Sequence, residues 1–308
     1  MEGLVYKSTG SWYVLRDENG VFRNARIKGK LKIDEDISST NPIAVGDYVT
    51  FEEEPGEEKS SIISEIKKRE NYIVRVSPHN KNQKHIVAAN LDLALVVSTI
   101  AEPRTSHGFI DRFLLTAEAY HIPAVIVVNK IDLLKPKHKE QLAHWQEMYG
   151  RAGYEVFPIV ALDPQSVTTL KQRLKGKTTL FSGHSGVGKS TLINQLIPGI
   201  DLRTTEVSGW SGKGQHTTTF AEMFDLPFGG RIIDTPGVKE FGLIDIEKEE
   251  LSHYFPEMRK RLTECKFNNC LHINEPGCAV KKAVAEKEID EERYISYMTI
   301  MDSIGEKW

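Results

Sequence analysis

The stretch Gly183-His-Ser-Gly-Val-Gly-Lys-Ser190 matches the pattern G-x-x-x-x-G-K-[ST] in full. Its residue types suit one task, holding a row of phosphates. Glycines let the backbone curl until successive N–H groups converge on an anion. A helix predicted over Ser190-Thr-Leu-Ile-Asn-Gln-Leu-Ile adds the positive end of its dipole at the same place. Lys189 reaches β- and γ-phosphates in such a loop, and the Ser190 hydroxyl ligates Mg²⁺. Gly183, His184, Ser185, Gly186, Val187, Gly188, Lys189, Ser190 and Thr191 are therefore the candidate phosphate-binding residues, with Lys189 also a catalytic candidate. A glycine turn between strand and helix is the plain alternative. The full match, with the strand-like Thr179-Leu-Phe before it, argues against that.

Four further clusters extend the pattern. Asp234-Thr-Pro-Gly237 follows the apolar Arg231-Ile-Ile, so Asp234 at a strand end suits Mg²⁺ and the Gly237 N–H suits the γ-phosphate. Alone it would read equally well as a turn. Asn129-Lys-Ile-Asp132 follows Ala124–Val128. The Asp132 carboxylate can accept from guanine N1–H and the exocyclic amine together, a pair adenine lacks, with Asn129 and Lys130 supporting the base pocket. Buried hydrogen-bond recognition discriminates strongly, because a wrong base leaves polar groups unpaired. Val160-Ala-Leu162 ends another strand and could set the Ala161 N–H against guanine O6. Between the phosphate loop and Asp234, His216-Thr-Thr-Thr219 offers a threonine to complete the Mg²⁺ sphere. Thr218 is the choice, with Thr217 and Thr219 as rivals. The cofactor implied is Mg²⁺ with GTP. The order of the motifs is permuted, because the guanine element precedes the phosphate loop where ordinary GTPases place it last.

A separate chemistry lies near the C-terminus. Cys265, Cys270, His272 and Cys278 use all three cysteines and one histidine within 14 residues. Three thiolates and an imidazole make a closed tetrahedral zinc site with no position left for water, hence structural zinc, one per chain, and no catalysis. The alternative is three reduced cysteines beside a surface histidine.

These residues need elements to carry them. Residues 1–70 hold five short β-branched or aromatic runs separated by Gly, Asn and Pro clusters, which predicts a small barrel of the OB type. Over 71–245, continuous apolar runs such as Leu91–Ser98 and Ala124–Val128 alternate with helical stretches (109–120, 137–149, 166–174), which predicts a parallel sheet covered on both faces. Residues 246–308 read as helical and charged around the cysteine loop. The expected fold is thus α/β: an OB-type β-barrel, a permuted P-loop domain and a helical zinc-binding domain. Apolar runs are too short to cross a membrane, no secretory signal opens the chain, and three cysteines make no disulfide framework, so a cytoplasmic monomer is expected. The net charge of −3 divides as −3, +3 and −3 over the three segments, so any nucleic-acid surface is a local patch.

Taken together, these motifs resemble the RsgA family, circularly permuted GTPases of small-ribosomal-subunit biogenesis. The resemblance rests on Asn129–Asp132, Gly183–Ser190, Gly214-Gln-His-Thr-Thr-Thr219, Asp234–Gly237, the cysteine spacing and the leading barrel. It implies binding to the small ribosomal subunit and its rRNA, and GTP hydrolysis to GDP stimulated by that particle. It also gives His216 a role. The place after Asp234–Gly237 where many GTPases carry a water-orienting glutamine is Val238, so intrinsic hydrolysis is expected to be slow and His216 is the candidate replacement. The family often has Ser-Ala where this chain has Val160-Ala161. Candidate rRNA contacts are Arg23, Arg26, Lys28, Lys30, Lys32, Lys67-Lys-Arg69 and Arg259-Lys-Arg261. Three rivals remain: an RNA-binding scaffold with a relic nucleotide site, an ATP-dependent kinase or transporter subunit, and a permuted GTPase serving the large subunit. The intact Lys189, Ser190, Asp234 and Asp132 oppose the first, Asn129–Asp132 the second, and the barrel with the zinc module the third.

Overall fold

The computed structural model describes residues 1–27, 42–54, 60–76, 84–200, 202, 221–235 and 246–304. Five strands, β1 (Glu2–Ser8), β2 (Tyr13–Asp17), β3 (Phe22–Ile27), β4 (Tyr48–Glu53) and β5 (Ser60–Ile66), form the first unit. β1 pairs with β2 and β4, β2 with β3, and β4 with β5, all antiparallel, while β3 and β5 pair in parallel. That circuit, 1-2-3-5-4-1, closes the sheet and removes its edges. Inward positions of the strands pack Val5, Tyr13, Leu15, Ala25, Val49, Phe51 and Ile63 into the barrel core. A two-stranded hairpin follows, β6 (Tyr72–Val76) with β7 (Lys84–Ala89). No element was expected there from the sequence.

The second sheet holds β8 (Leu93–Ser98), β9 (Ala124–Val128), β10 (Glu155–Pro158), β11 (Thr178–Gly183), β12 (Glu222–Asp225) and β13 (Arg231–Asp234). Its order is β10-β9-β8-β11-β13-β12. The first five are parallel and β12 is an antiparallel edge strand. Every residue of β8 is buried, as its unbroken apolar run requires when both faces are covered. One face (Ala94, Val96, Ile126, Leu180) packs under α1 (His107–Ala119) and α2 (Pro136–Ala152). The other (Leu95, Val97, Val127, Phe181) packs over α3 (Thr168–Leu174) and α4 (Lys189–Leu196). The expected α/β architecture is thus present, with one addition. The β12 edge is not free: it pairs with β1 at Lys7 and Glu222, so the sheet runs on into the barrel. Around that joint the Tyr6 hydroxyl donates to Asp225 at 2.7 Å, and Arg16 binds Asp225 at 2.6 Å.

The C-terminal part contains α5 (Pro256–Arg259), α6 (Ala279–Ala285) and α7 (Glu291–Ser303). Asp290 caps α7 by accepting from the Glu292 amide at 3.0 Å. Their core joins Phe255, Met258, Val280, Tyr297, Ile300 and Met301 to Leu115 of α1, which docks this part against the parallel sheet's helical layer. No described helix is long and apolar enough to cross a membrane.

Candidate functional site

The order of strands sets the site. β11 lies between β13 and β8, so the segments leaving β11, β13 and β9 emerge at one edge of the sheet, at its topological switch point. Gly183 ends β11 where a side chain could not fit, since a Cβ there would lie 2.7 Å from the Val97 carbonyl oxygen. Gly188, at φ +91°, leads into α4, and a Cβ on it would run into the Asn129 amide nitrogen. Ser190 and Thr191 stand half-buried in the first turn of α4, and His184 stacks against Phe109 of α1. The Lys189 ammonium binds the Asp234 carboxylate and donates to the Thr235 carbonyl at 2.9 Å. The structure therefore brings the lysine of the phosphate loop and the candidate Mg²⁺ aspartate into direct contact.

The base side is tied to the phosphate side by one residue. Asn129 is 3% exposed; its Nδ2 donates to the Val187 carbonyl at 2.8 Å and its Oδ1 accepts from the Ala161 N–H at 2.8 Å. That second bond engages the amide of Ala161, the expected donor to guanine O6, with Asn129. The following amide, that of Leu162, meets no acceptor among the described residues, and the Leu162 side chain is 78% exposed. Lys130 adopts φ +63° and donates to the Glu102 carbonyl at 2.9 Å, which carries its stem across the loop after β8. Asp132 is exposed, with no hydrogen-bond or ion-pair partner among the described residues, as a carboxylate waiting for an external donor must be. His216, Thr217, Thr218, Thr219, Gly237 and Val238 lie outside the described residues.

Cys265, Cys270, His272 and Cys278 come together with their ligand atoms all within 4.8 Å of one another. His272 Nδ1 stands 3.7 Å from the Cys265 sulfur and 3.4 Å from that of Cys278. A tetrahedral zinc with bonds of about 2.3 Å to sulfur and 2.05 Å to nitrogen sets those atoms roughly 3.6 Å apart, so the donor set fits. Burial keeps the His272 ring neutral by lowering its pKa, the form a ligand needs. Burial also pushes the Cys270 thiol up to about 12, so a bound metal must displace that proton.

Sequence reasoning missed what braces this loop. The Glu275 carboxylate accepts from the amides of Leu271 and Ile273 at 2.8 Å and Asn274 at 3.0 Å. Burial alone would raise its pKa, but these amides outweigh burial and hold it low. Tyr294 and Tyr297 reach from α7 to the carbonyls of His272 and Leu271 at 2.6 and 2.8 Å. Several candidate RNA cations are also committed internally. Arg69 grips buried Asp47 at 2.6 Å and is structural; Arg23 pairs with Asp17 and Glu53, Lys67 with Glu2 and Glu65, and Arg261 with Glu288. Lys68 and Lys260 are exposed without a partner among the described residues, and Lys28, Lys30 and Lys32 lie outside those residues.

Comparison with known proteins agrees in each part. A family model described as RsgA GTPase matches residues 66–244, and one described as RsgA N-terminal domain matches 2–63. Small ribosomal subunit biogenesis GTPase RsgA of Christiangramia forsetii is 52% identical over 98% of this chain and 96% of its own. That of Bacteroides fragilis is 50% identical with the same coverage. Among solved structures, YjeQ from Thermotoga maritima superposes with TM-score 0.79 at 32% identity, covering 99% of both chains. YloQ, titled a circularly permuted GTPase, gives 0.74 at 29%, covering 100% of this chain and 96% of its own.

Proposed function

The chain belongs to the RsgA family of circularly permuted GTP-hydrolysing enzymes, and from that premise we propose that it serves the maturation of the small ribosomal subunit. On this reading it binds the subunit and its rRNA in a nucleotide-dependent way, and the subunit stimulates hydrolysis. The observation that carries the proposal is the Asn129 bridge, which ties the base-binding element to the phosphate loop at 2.8 Å on both sides. With the triphosphate bound, Lys189 leaves Asp234 for the β- and γ-phosphates, and the loop amides from Gly183 to Ser190 take the remaining oxygens. Asp234, freed from Lys189, joins Ser190 and Thr218 as the set that would hold Mg²⁺. The ion would neutralise charge developing on the phosphates. Asp132 accepts from guanine N1–H and the exocyclic amine, and the backbone at Ala161 and Leu162 supplies the N–H donor to O6. Lys130 and Asn129 wall the base. The Gly237 amide meets the γ-phosphate and His216 orients the attacking water. The four residues Cys265, Cys270, His272 and Cys278 hold zinc as a structural clamp.

The test is GTP turnover by the purified chain with and without purified small subunits. A slow intrinsic rate raised at least tenfold by the subunit supports the proposal. Equal rates would overturn it. Substituting His216→Ala is expected to abolish the stimulated rate while GTP still binds.

A further inference from the structure

The phosphate-binding pattern prescribes its glycines, lysine and serine but leaves the position of His184 open. In the structure that side chain has a definite place. Its ring centroid lies 3.6 Å from that of Phe109, with the planes 34° apart. Phe109 stands in the first turn of α1, where Ser106 caps its amide at 3.3 Å. Two residues on, Asp111 is fully buried and binds Arg293 of α7, itself 2% exposed. Arg293 also binds Glu257 of α5 at 2.7 Å and lies over the Phe255 ring at 4.6 Å. On its next turn α1 sends Ile110, Phe113 and Leu114 under the sheet but Leu115 into the C-terminal core. The helix is thus a bar with one end on the phosphate loop and one side locked to the zinc-bearing module.

We propose that Phe109 is a positioning residue for the phosphate loop, and that α1 transmits the seating of the C-terminal module to that loop through the Asp111–Arg293 pair and the Phe109–His184 stack. The inference rests on reading Gly183–Ser190 as the phosphate loop. A loop with three glycines has little stiffness of its own, and the stack fixes His184 between Gly183 and Gly186. Coupling of this kind is reciprocal. Nucleotide that orders the loop tightens α1 against α7, and a partner that shifts the module changes nucleotide affinity. This route runs entirely through packed side chains.

The experiment uses the full chain, with GDP as the probe. Affinity is measured by titration for wild type, Phe109→Ala, Phe109→Leu, Phe109→Tyr, His184→Ala and the Phe109→Ala/His184→Ala double variant. Hydrogen exchange of α7 is followed with and without GDP. Loss of an aromatic pair is expected to weaken GDP about fivefold in Phe109→Ala, Phe109→Leu and His184→Ala. Phe109→Tyr keeps the ring and the affinity, and the double variant is no weaker than either single one. GDP protects the α7 amides in wild type and not in Phe109→Ala. Unchanged affinity in the ring-less variants, additive losses in the double variant, or α7 exchange indifferent to GDP or to Phe109 would each overturn the proposal. A wild-type chain that binds no GDP would instead overturn the phosphate-loop reading beneath it.

Discussion

At the residue scale, the site and its supports differ in how they could be found. Lys189, Asp132 and the cysteine cluster announce themselves because their chemistry is written in local spacing. Arg293 does not, since its partners Asp111 and Glu257 lie 182 and 36 residues away. Removing one member of such a buried set strands the others' charges. Arg293→Met is therefore expected to lower stability by about 3–5 kcal/mol in urea unfolding, and a loss below about 1 kcal/mol would contradict the geometry. Gly188 gives a second prediction. Its φ of +91° and the space taken by Asn129 leave no room for a methyl, so Gly188→Ala should abolish GDP binding in a titration while circular dichroism keeps its helical signal. Asn129→Ala leaves the Val187 carbonyl and the Ala161 amide without their partner, each worth about 1–3 kcal/mol if unsatisfied. Weaker binding of GDP is expected to accompany that loss.

At the element scale, the barrel's five strands were legible because short β-branched or aromatic runs stand between clear turn signals, and β2 and β4 alternate inward apolar residues. Their circuit was not, because the parallel β3–β5 pairing that closes it joins strands about 35 residues apart and has no local mark. Strand β12 was missed for a different reason. Glu222-Met-Phe-Asp is four residues long and bounded by charge, and its strand character comes from neighbours on both sides, β13 and β1. The β6–β7 hairpin was hidden in the same way by its dependence on pairing. The metal loop is an element with almost no core of its own, held by Glu275, two tyrosines and the ligand set. Elemental analysis is expected to find one zinc per chain. Chelation should open residues 262–278 to protease while the parallel sheet stays folded. A chain with no co-purifying metal and an equally resistant loop would contradict that reading.

At the scale of the whole molecule, permutation has a structural consequence. The cut changes the order of the motifs along the chain but leaves the sheet order β10-β9-β8-β11-β13-β12 intact, so the sites meet in space. We propose that the divisions between the three parts lie near residues 70 and 245. The barrel joins through the β1–β12 edge and the Tyr6–Asp225–Arg16 contacts, and the C-terminal module through α1. Both neighbours therefore press on elements adjoining the nucleotide site, which suits the nucleotide-dependent binding proposed above. The central claim is that one pocket reads guanine through Asp132 while the loop around Lys189 holds the phosphates. Calorimetric titration of the chain with GDP and with ADP, repeated on Asp132→Asn, tests it most directly. GDP is expected to bind at least a hundredfold more tightly than ADP, and Asp132→Asn to remove the preference. Equal affinity for the two nucleotides, or an unchanged preference in the variant, would contradict it.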